Sequence, residues 1–285
     1  MMQIRAHHIK WGALLLSAAG AIIGLYFLLA YIVLPLFWRH YEHQHALAGL
    51  TMVTRTASGI PGDPMNVGLV GSRDDVLCAM NVAGWYPADP ITLRSSVEIV
   101  GSVLLDRPYR EAPVSHLYYN GRRQDLAFEK PVGASADRRN HVRFWRALEH
   151  GDEGRAVWLG AATFDRGVGF SHEDARVTHH IGPDIDAERD LLTTDLKTAR
   201  VVQTIYEVTG IGPTVNGRNG EGDRYYTDGD IKISVLVAGC NQRAENVAVL
   251  ENPPLVALKD LAWDTIAKAV LSEAIPSEIP SPKNQ

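Results

Sequence analysis

The chain is poor in the features that usually declare a mechanism. Its 285 residues hold two cysteines, Cys78 and Cys240, and neither has the spacing of a zinc or thiol-redox motif. The pair could form one disulfide or remain two buried thiols, so it leaves the redox compartment open. Basic residues number 28 against 33 acidic ones, a formal charge of -5. With no basic stripe, nucleic acid is not an expected partner. A nucleophile elbow, a Walker loop and a dinucleotide fingerprint are all absent, as is any internal repeat.

What is present first is length without charge. No residue from Trp11 to Trp38 is charged; Arg5 and Lys10 precede the run and Arg39 follows it. At about 1.5 Å per residue, a helix of this length crosses a bilayer. A secretory signal has a shorter apolar stretch, about 7–15 residues, and a small-residue cleavage site, which is missing here. Trp11, Tyr31, Phe37 and Trp38 suit the two interfaces, and Gly20, Gly24 and Pro35 are tolerated in spanning helices. Arg5 and Lys10 set against Arg39 and Arg55 favour a cytoplasmic N-terminus and a domain facing the periplasm or cell exterior. The expected organisation is a cytoplasmic N-terminus (1–10), an anchor (11–38), a juxtamembrane linker with His40, His43 and His45 (39–64), one domain (65–274) and a disordered tail (275–285).

The segment through Trp38 holds two of the 28 basic residues and none of the 33 acidic ones, so the remainder carries -7. Those 247 residues suffice for one sizeable core. Asn66 to Val70 reads as a short strand. Ser72 and Asp75 have capping-box spacing ahead of a helix with Val76, Leu77, Met80 and Ala83 on its apolar face, stopped by Gly84. A Gly-Ser turn between strand and helix can also cradle an anion, although most such turns only cap a helix. Asp89-Pro90 opens a second helix carrying Leu93, Val97, Val100 and Leu104. Aromatic and β-branched runs follow at 115–119, 126–129, 141–148, 156–164 and 176–181. Asn120-Gly121 predicts a tight turn pairing the first two. A helix over about 186–199, a strand over 201–208, two runs around Asp228-Gly229 and a last helix over about 257–274 complete an α+β fold with a mostly antiparallel sheet.

Two polar constellations could carry chemistry. Thr178-His179-His180 precedes Asp184, Asp186, Glu188, Arg189 and Asp190. Imidazole and carboxylate groups can hold a divalent metal and activate its water, which makes His179, His180 and Asp186 the candidate metal ligands. On a strand, however, His179 and His180 point to opposite faces, and acidic residues in a first helical turn also serve as caps. In the run His141-Val-Arg-Phe-Trp-Arg, His141, Arg143 and Trp145 share one face. An Arg-His face can grip a phosphate or carboxylate, or simply pair with acidic neighbours. Asp165 and Asp125 are candidate general bases or arginine partners. The catalytic candidates are thus His141, Asp165, His179 and His180, and the ligand-binding candidates Arg122, Arg143, Arg166 and Arg189. Asp223, Asp228 and Asp230 lack calcium-loop spacing and read as turn residues.

Several longer motifs resemble the LssY C-terminal domain family. They are Asn66-Val-Gly-Leu-Val-Gly-Ser-Arg, Gly84-Trp85 with Pro87-Ala-Asp-Pro, and Gly121-Arg-Arg-Gln-Asp-Leu-Ala-Phe-Glu-Lys-Pro-Val-Gly. They continue through Arg139-Asn-His-Val-Arg-Phe-Trp, Val157-Trp-Leu-Gly-Ala-Ala-Thr-Phe-Asp-Arg-Gly-Val-Gly and Thr178-His-His-Ile-Gly-Pro-Asp-Ile-Asp-Ala-Glu-Arg-Asp. The resemblance covers roughly residues 65–240 and brings no established activity. It implies that members can be joined to multispanning modules of the DedA or phosphatidic-acid-phosphatase-like type. This chain shows a single anchor instead. The expected role is therefore a binding or accessory module near membrane lipid headgroups or a membrane-protein partner in the envelope. The alternative is a membrane-anchored hydrolase, metal-assisted or not, acting on a phosphate-containing or envelope substrate.

Overall fold

The computed structural model describes residues 2–34, 36, 43–88, 116–133, 138–170, 177–239, 242–252 and 254–274. The chain divides into two compact units, Met1–Ala48 and Gly49–Gln285. In the first, helix α1 (Met2–Leu28) continues into a π-helical turn at Leu29–Val33. Leu14–Val33 is the one helical stretch among the described residues long and apolar enough to cross a membrane. Tyr26, Phe27 and Tyr31 cluster near its C-terminal end, with the Phe27 and Tyr31 rings stacked at 5.5 Å.

The second unit is built on a mixed, mostly antiparallel sheet. Its strands are β3 (Val67–Val70), β4 (Tyr86–Pro87), β7 (Leu126–Pro131), β8 (Arg139–Leu148), β9 (Val157–Phe170), β10 (Val177–Ile181), β11 (Val202–Thr209), β14 (Asp230–Leu236) and β15 (Ala248–Val249). The order is β15-β11-β14-β3-β9-β8-β7-β4, with β10 added to the far end of the long β9. Among the described strands of this sheet, only β14–β3 and β11–β15 pair in parallel. A smaller sheet joins β2 (Pro61–Pro64), β1 (Val53–Arg55), β5 (Tyr118–Tyr119) and β6 (Arg122–Arg123), and β12 (Thr214–Arg218) pairs with β13 (Arg224–Thr227).

Helices α2 (Arg73–Val82) and α3 (Ile185–Thr198) cover one face of the large sheet, and α4 (Pro254–Ala274) follows β15. The capping box at α2 forms as its spacing requires: Ser72 accepts from the Asp75 amide, and Asp75 accepts from the Ser72 amide. Asp184 caps α3 by accepting from the Ala187 amide at 3.0 Å. Val76, Ala79 and Met80 of α2 and Leu192 and Leu196 of α3 pack on Val67, Leu69, Phe128, Val142 and Phe144 in one apolar core. Phe144 lies directly over its cross-strand partner Gly160, where an added Cβ would come within 2.6 Å of the ring. Asn66 ties the layers together. Its amide donates to the Ala162 and Ile185 carbonyls and accepts from the Ala162 amide. Cys78 on α2 is disulfide-bonded, and the chain's only other cysteine is Cys240.

The α+β class is as expected, but two local expectations are corrected. The Asn120-Gly121 turn, with φ of 48° and 74°, pairs Tyr118-Tyr119 with Arg122-Arg123 rather than with the run at Leu126. A two-residue turn returns the chain at once. The Leu126 strand instead joins the other sheet, between β8 and β4. Residues 53–64, read as linker, contain the paired strands β1 and β2, which bury Thr54 and Asp63. The helix expected from Asp89 and the tail at 275–285 lie outside the described residues.

Candidate functional site

Alternation along β7, β8 and β9 separates two chemistries. Phe128, Val142, Phe144 and Ala162 face the helices. Glu129, Arg139, His141, Arg143, Thr163 and Asp165 face the other way, and each is at most 3% exposed. Register places Glu129, His141 and Thr163 in one cross-strand row and Arg139 opposite Asp165. Asp63 of β2 and Asn219 of the β12–β13 connection reach this face, and Tyr119 of β5 packs on Trp145, ring centroids 6.2 Å apart.

Asp165 is the centre of the network. Arg139 donates to it through Nε at 3.0 Å and to Glu129 through Nη1 at 2.6 Å. His141 Nδ1 lies 2.9 Å from Asp165 Oδ1, in contact but poorly aligned as a hydrogen bond, and His179 Nδ1 lies 4.0 Å from Oδ2. On the other side of the imidazole, Arg143 Nη1 approaches His141 Nε2 at 2.8 Å and Thr163 Oγ1 approaches it at 2.9 Å. A guanidinium can only donate, so Nε2 is the accepting nitrogen and the ring proton sits on Nδ1, facing Asp165. Arg143 also donates to Asp63 at 3.4 Å, and Asp63 accepts from Asn219 at 3.2 Å.

Burial and charge act against each other here. Burial alone would raise Asp165, but His141, His179 and Arg139 outweigh it and hold the carboxyl far below its usual range. Burial likewise opposes the charge on Arg139, and Asp165 with Glu129 outweighs it, raising the guanidinium further. His141 is pushed down by burial and His179 to about 4 by burial, so both rings are neutral near pH 7. On the helical face, Glu188 is pushed up to about 7 by burial and by the carboxylates of Asp165, Asp184 and Asp195.

The adjacent histidines part as the strand period requires. His179 turns toward Asp165, and His180 Nδ1 pairs with Asp223 at 2.9 Å, whose second oxygen accepts from the Ile181 amide. Asp186 belongs to a different cluster, where it accepts from Thr227 at 2.6 Å and from the Asp228 amide at 2.8 Å. Arg189, 3% exposed, grips Asp228 through both terminal nitrogens and Asp190 through Nε. His179, His180 and Asp186 thus hold different partners. Among the described residues, the one acidic or imidazole group tight enough for a metal is Glu207, Asp230 and Asp260. Ammonium groups already occupy it, Lys259 at 2.5 Å from Asp230 and Lys232 at 3.7 Å from Glu207.

Among the proposed ligand-binding arginines, Arg143 and Arg189 are buried in ion pairs, whereas Arg122 and Arg166 are about half exposed, near Asp125 (3.5 Å) and Asp223 (3.9 Å). Asp125 accepts from the Arg146 amide at 2.8 Å. His141, Asp165 and His179 do come together, joined by partners not foreseen as site residues: Asp63, Glu129, Arg139, Thr163 and Asn219. Period-two alternation from Arg139 to Arg143 and at Thr163 and Asp165 was the available signal. Asp63 and Asn219 lie 80 and 76 residues from Arg143 and leave no local trace.

Sheet, helices and enclosed charged face define an α+β domain in a chain that also carries an N-terminal apolar helix. The chain belongs to the LssY C-terminus family, whose model matches residues 46–231. No curated protein and no solved structure matches the chain.

Proposed function

We propose that the protein is a single-pass envelope protein, anchored by residues 11–38 with its N-terminus in the cytoplasm, and that its domain is a binding or accessory module near membrane lipids or a membrane-protein partner. One observation carries this reading: the network around Asp165 is enclosed and its charges are paired within it. Each cation has a carboxylate, each neutral imidazole has a carboxylate beside it, and Thr163 and Asp165 are 1% and 0% exposed. A hydrolase needs a base with a free lone pair within reach of substrate or water. His141 spends its accepting nitrogen on Arg143 and Thr163. The disulfide at Cys78 supports a domain outside the cytoplasm, since such bonds persist in oxidising compartments.

The order Asp165, His141, Thr163, with both contacts at 2.9 Å, favours the hydrolase as the second reading. Two measurements on the full chain separate them. A reporter fused after Gln285 is expected to show the non-cytoplasmic side, and the purified protein is expected to leave phosphoesters and peptides intact. A cytoplasmic reporter overturns the orientation. Turnover abolished by Thr163→Ala establishes the hydrolase.

A further inference from the structure

Where the helical face of β8 and β9 runs out, beside the first turn of α2, an open groove of about 330 Å³ contains Arg73, Arg146, His150 and Arg155. That volume lies at the lower end of the usual small-ligand range, roughly 300–1,000 Å³. We propose that this groove binds a phosphoryl group, a proposal that rests on reading the domain as a binding module and names the chemistry it binds.

One of the guanidinium groups is fixed before any ligand arrives, and a second rests over an aromatic ring. Arg155 donates to the Leu236 carbonyl at 2.7 Å and to Asp75 at 2.9 Å. Arg146 lies over the Trp158 ring at 6.0 Å, and that indole is held by the Gly71 carbonyl at 2.9 Å. Preset guanidinium groups lose less freedom on binding, and their planar forks match phosphate oxygens.

The two carboxylates lining the groove do not cancel this field. Asp75 is saturated: it accepts from the Ser72 amide and hydroxyl, from the Gly239 amide and from Arg155, and these donors hold its pKa low against the effect of burial. Glu149 pairs with Arg146 at 3.0 Å, but the two side chains are 67% and 45% exposed, and exposed pairs are worth little and exchange readily. Arg73 and His150 have no hydrogen-bond or ion-pair partner among the described residues. The free charge in the groove is therefore positive.

The phosphoryl group could be free phosphate or a lipid headgroup, and one titration distinguishes them. Inorganic phosphate is titrated calorimetrically into the full chain in phosphatidylcholine nanodiscs, then in nanodiscs containing phosphatidic acid. Saturable binding is expected in the first, at least 10-fold weaker in Arg73→Ala/Arg146→Ala. Suppression by phosphatidic acid identifies a lipid headgroup as the occupant, and unchanged binding identifies free phosphate. Both variant positions are exposed, so the unfolding transition should not move; should the double variant fail to fold, Arg73→Glu is expected to give the same loss. No saturable binding, or equal affinity in a folded variant, overturns the site. Phosphoester turnover by the wild type would instead overturn the binding-module reading, leaving an arginine-dependent phosphate site in place.

Discussion

Neighbouring residues on β7 and β8 are equally buried by opposite means. Phe128 and Val142 sit among apolar side chains, whereas Glu129 and His141, one residue along on each strand, sit among charges. An apolar face is stabilised by area and tolerates exchange of similar volumes. The charged face depends on complementarity, since a lone buried charge costs far more than a pair returns. The first face should thus fail gradually and the second abruptly.

The largest effect is expected from Arg139→Met, which leaves Glu129 and Asp165 buried without their shared cation. Chemical unfolding of the full chain should show a loss of about 3–5 kcal/mol. Replacing Glu129, Arg139 and Asp165 together with apolar residues of similar volume should cost less than this single change. A triple variant weaker than Arg139→Met would show that the charges contribute beyond cancelling one another.

The next effect depends on pH. Glu188 has its folded pKa raised from the ordinary 4.5 to about 7, so the folded chain holds that proton more tightly. Stability from this group is complete below about pH 4.5 and is lost as pH rises towards 7. Glu188→Gln should therefore stabilise the chain above pH 7 by on the order of 2 kcal/mol and change little at pH 4. His179, lowered from 6.5 to about 4, acts in the opposite sense: its contribution is complete above pH 6.5 and is lost as pH falls towards 4. Melting temperatures across this range, with and without His179→Asn, would reveal the acid limb. The smallest effect is expected on the apolar face, where the volume-conserving Leu69→Met should cost less than about 1.5 kcal/mol. A larger loss there than for Glu129→Gln would reverse the contrast between the faces.

Much of the scaffold was legible because its signals are local. The Ser72–Asp75 box, the Asp184 cap, the turn at Asn120-Gly121 and the opposed directions of His179 and His180 each follow from spacing within a few residues. The partner of the Tyr118 strand differs from the expected one because composition marks a turn but does not say how soon the chain returns. The charged site was half legible. His141, Arg143 and Asp165 stood out as residue types, and alternation placed the first two on one face. Their burial depends on Asp63, Asn219 and Tyr119, which arrive from distant segments, and no periodicity in β8 announces a cover over its polar side. The same distance made the open groove hard to foresee, since α2 and the β8–β9 connection meet only in the fold.

The central claim is that the Asp165 network holds the domain together instead of turning over a substrate. Catalytic carboxylates are typically held at a cost to stability, so neutralising one often stabilises its protein. Equilibrium unfolding of Asp165→Asn near neutral pH, followed in the full chain beside wild type, separates the two roles. A structural network gives a large loss of stability, comparable with Arg139→Met. Unchanged or increased stability would contradict it and return the Asp165–His141–Thr163 row to the position of a candidate active site.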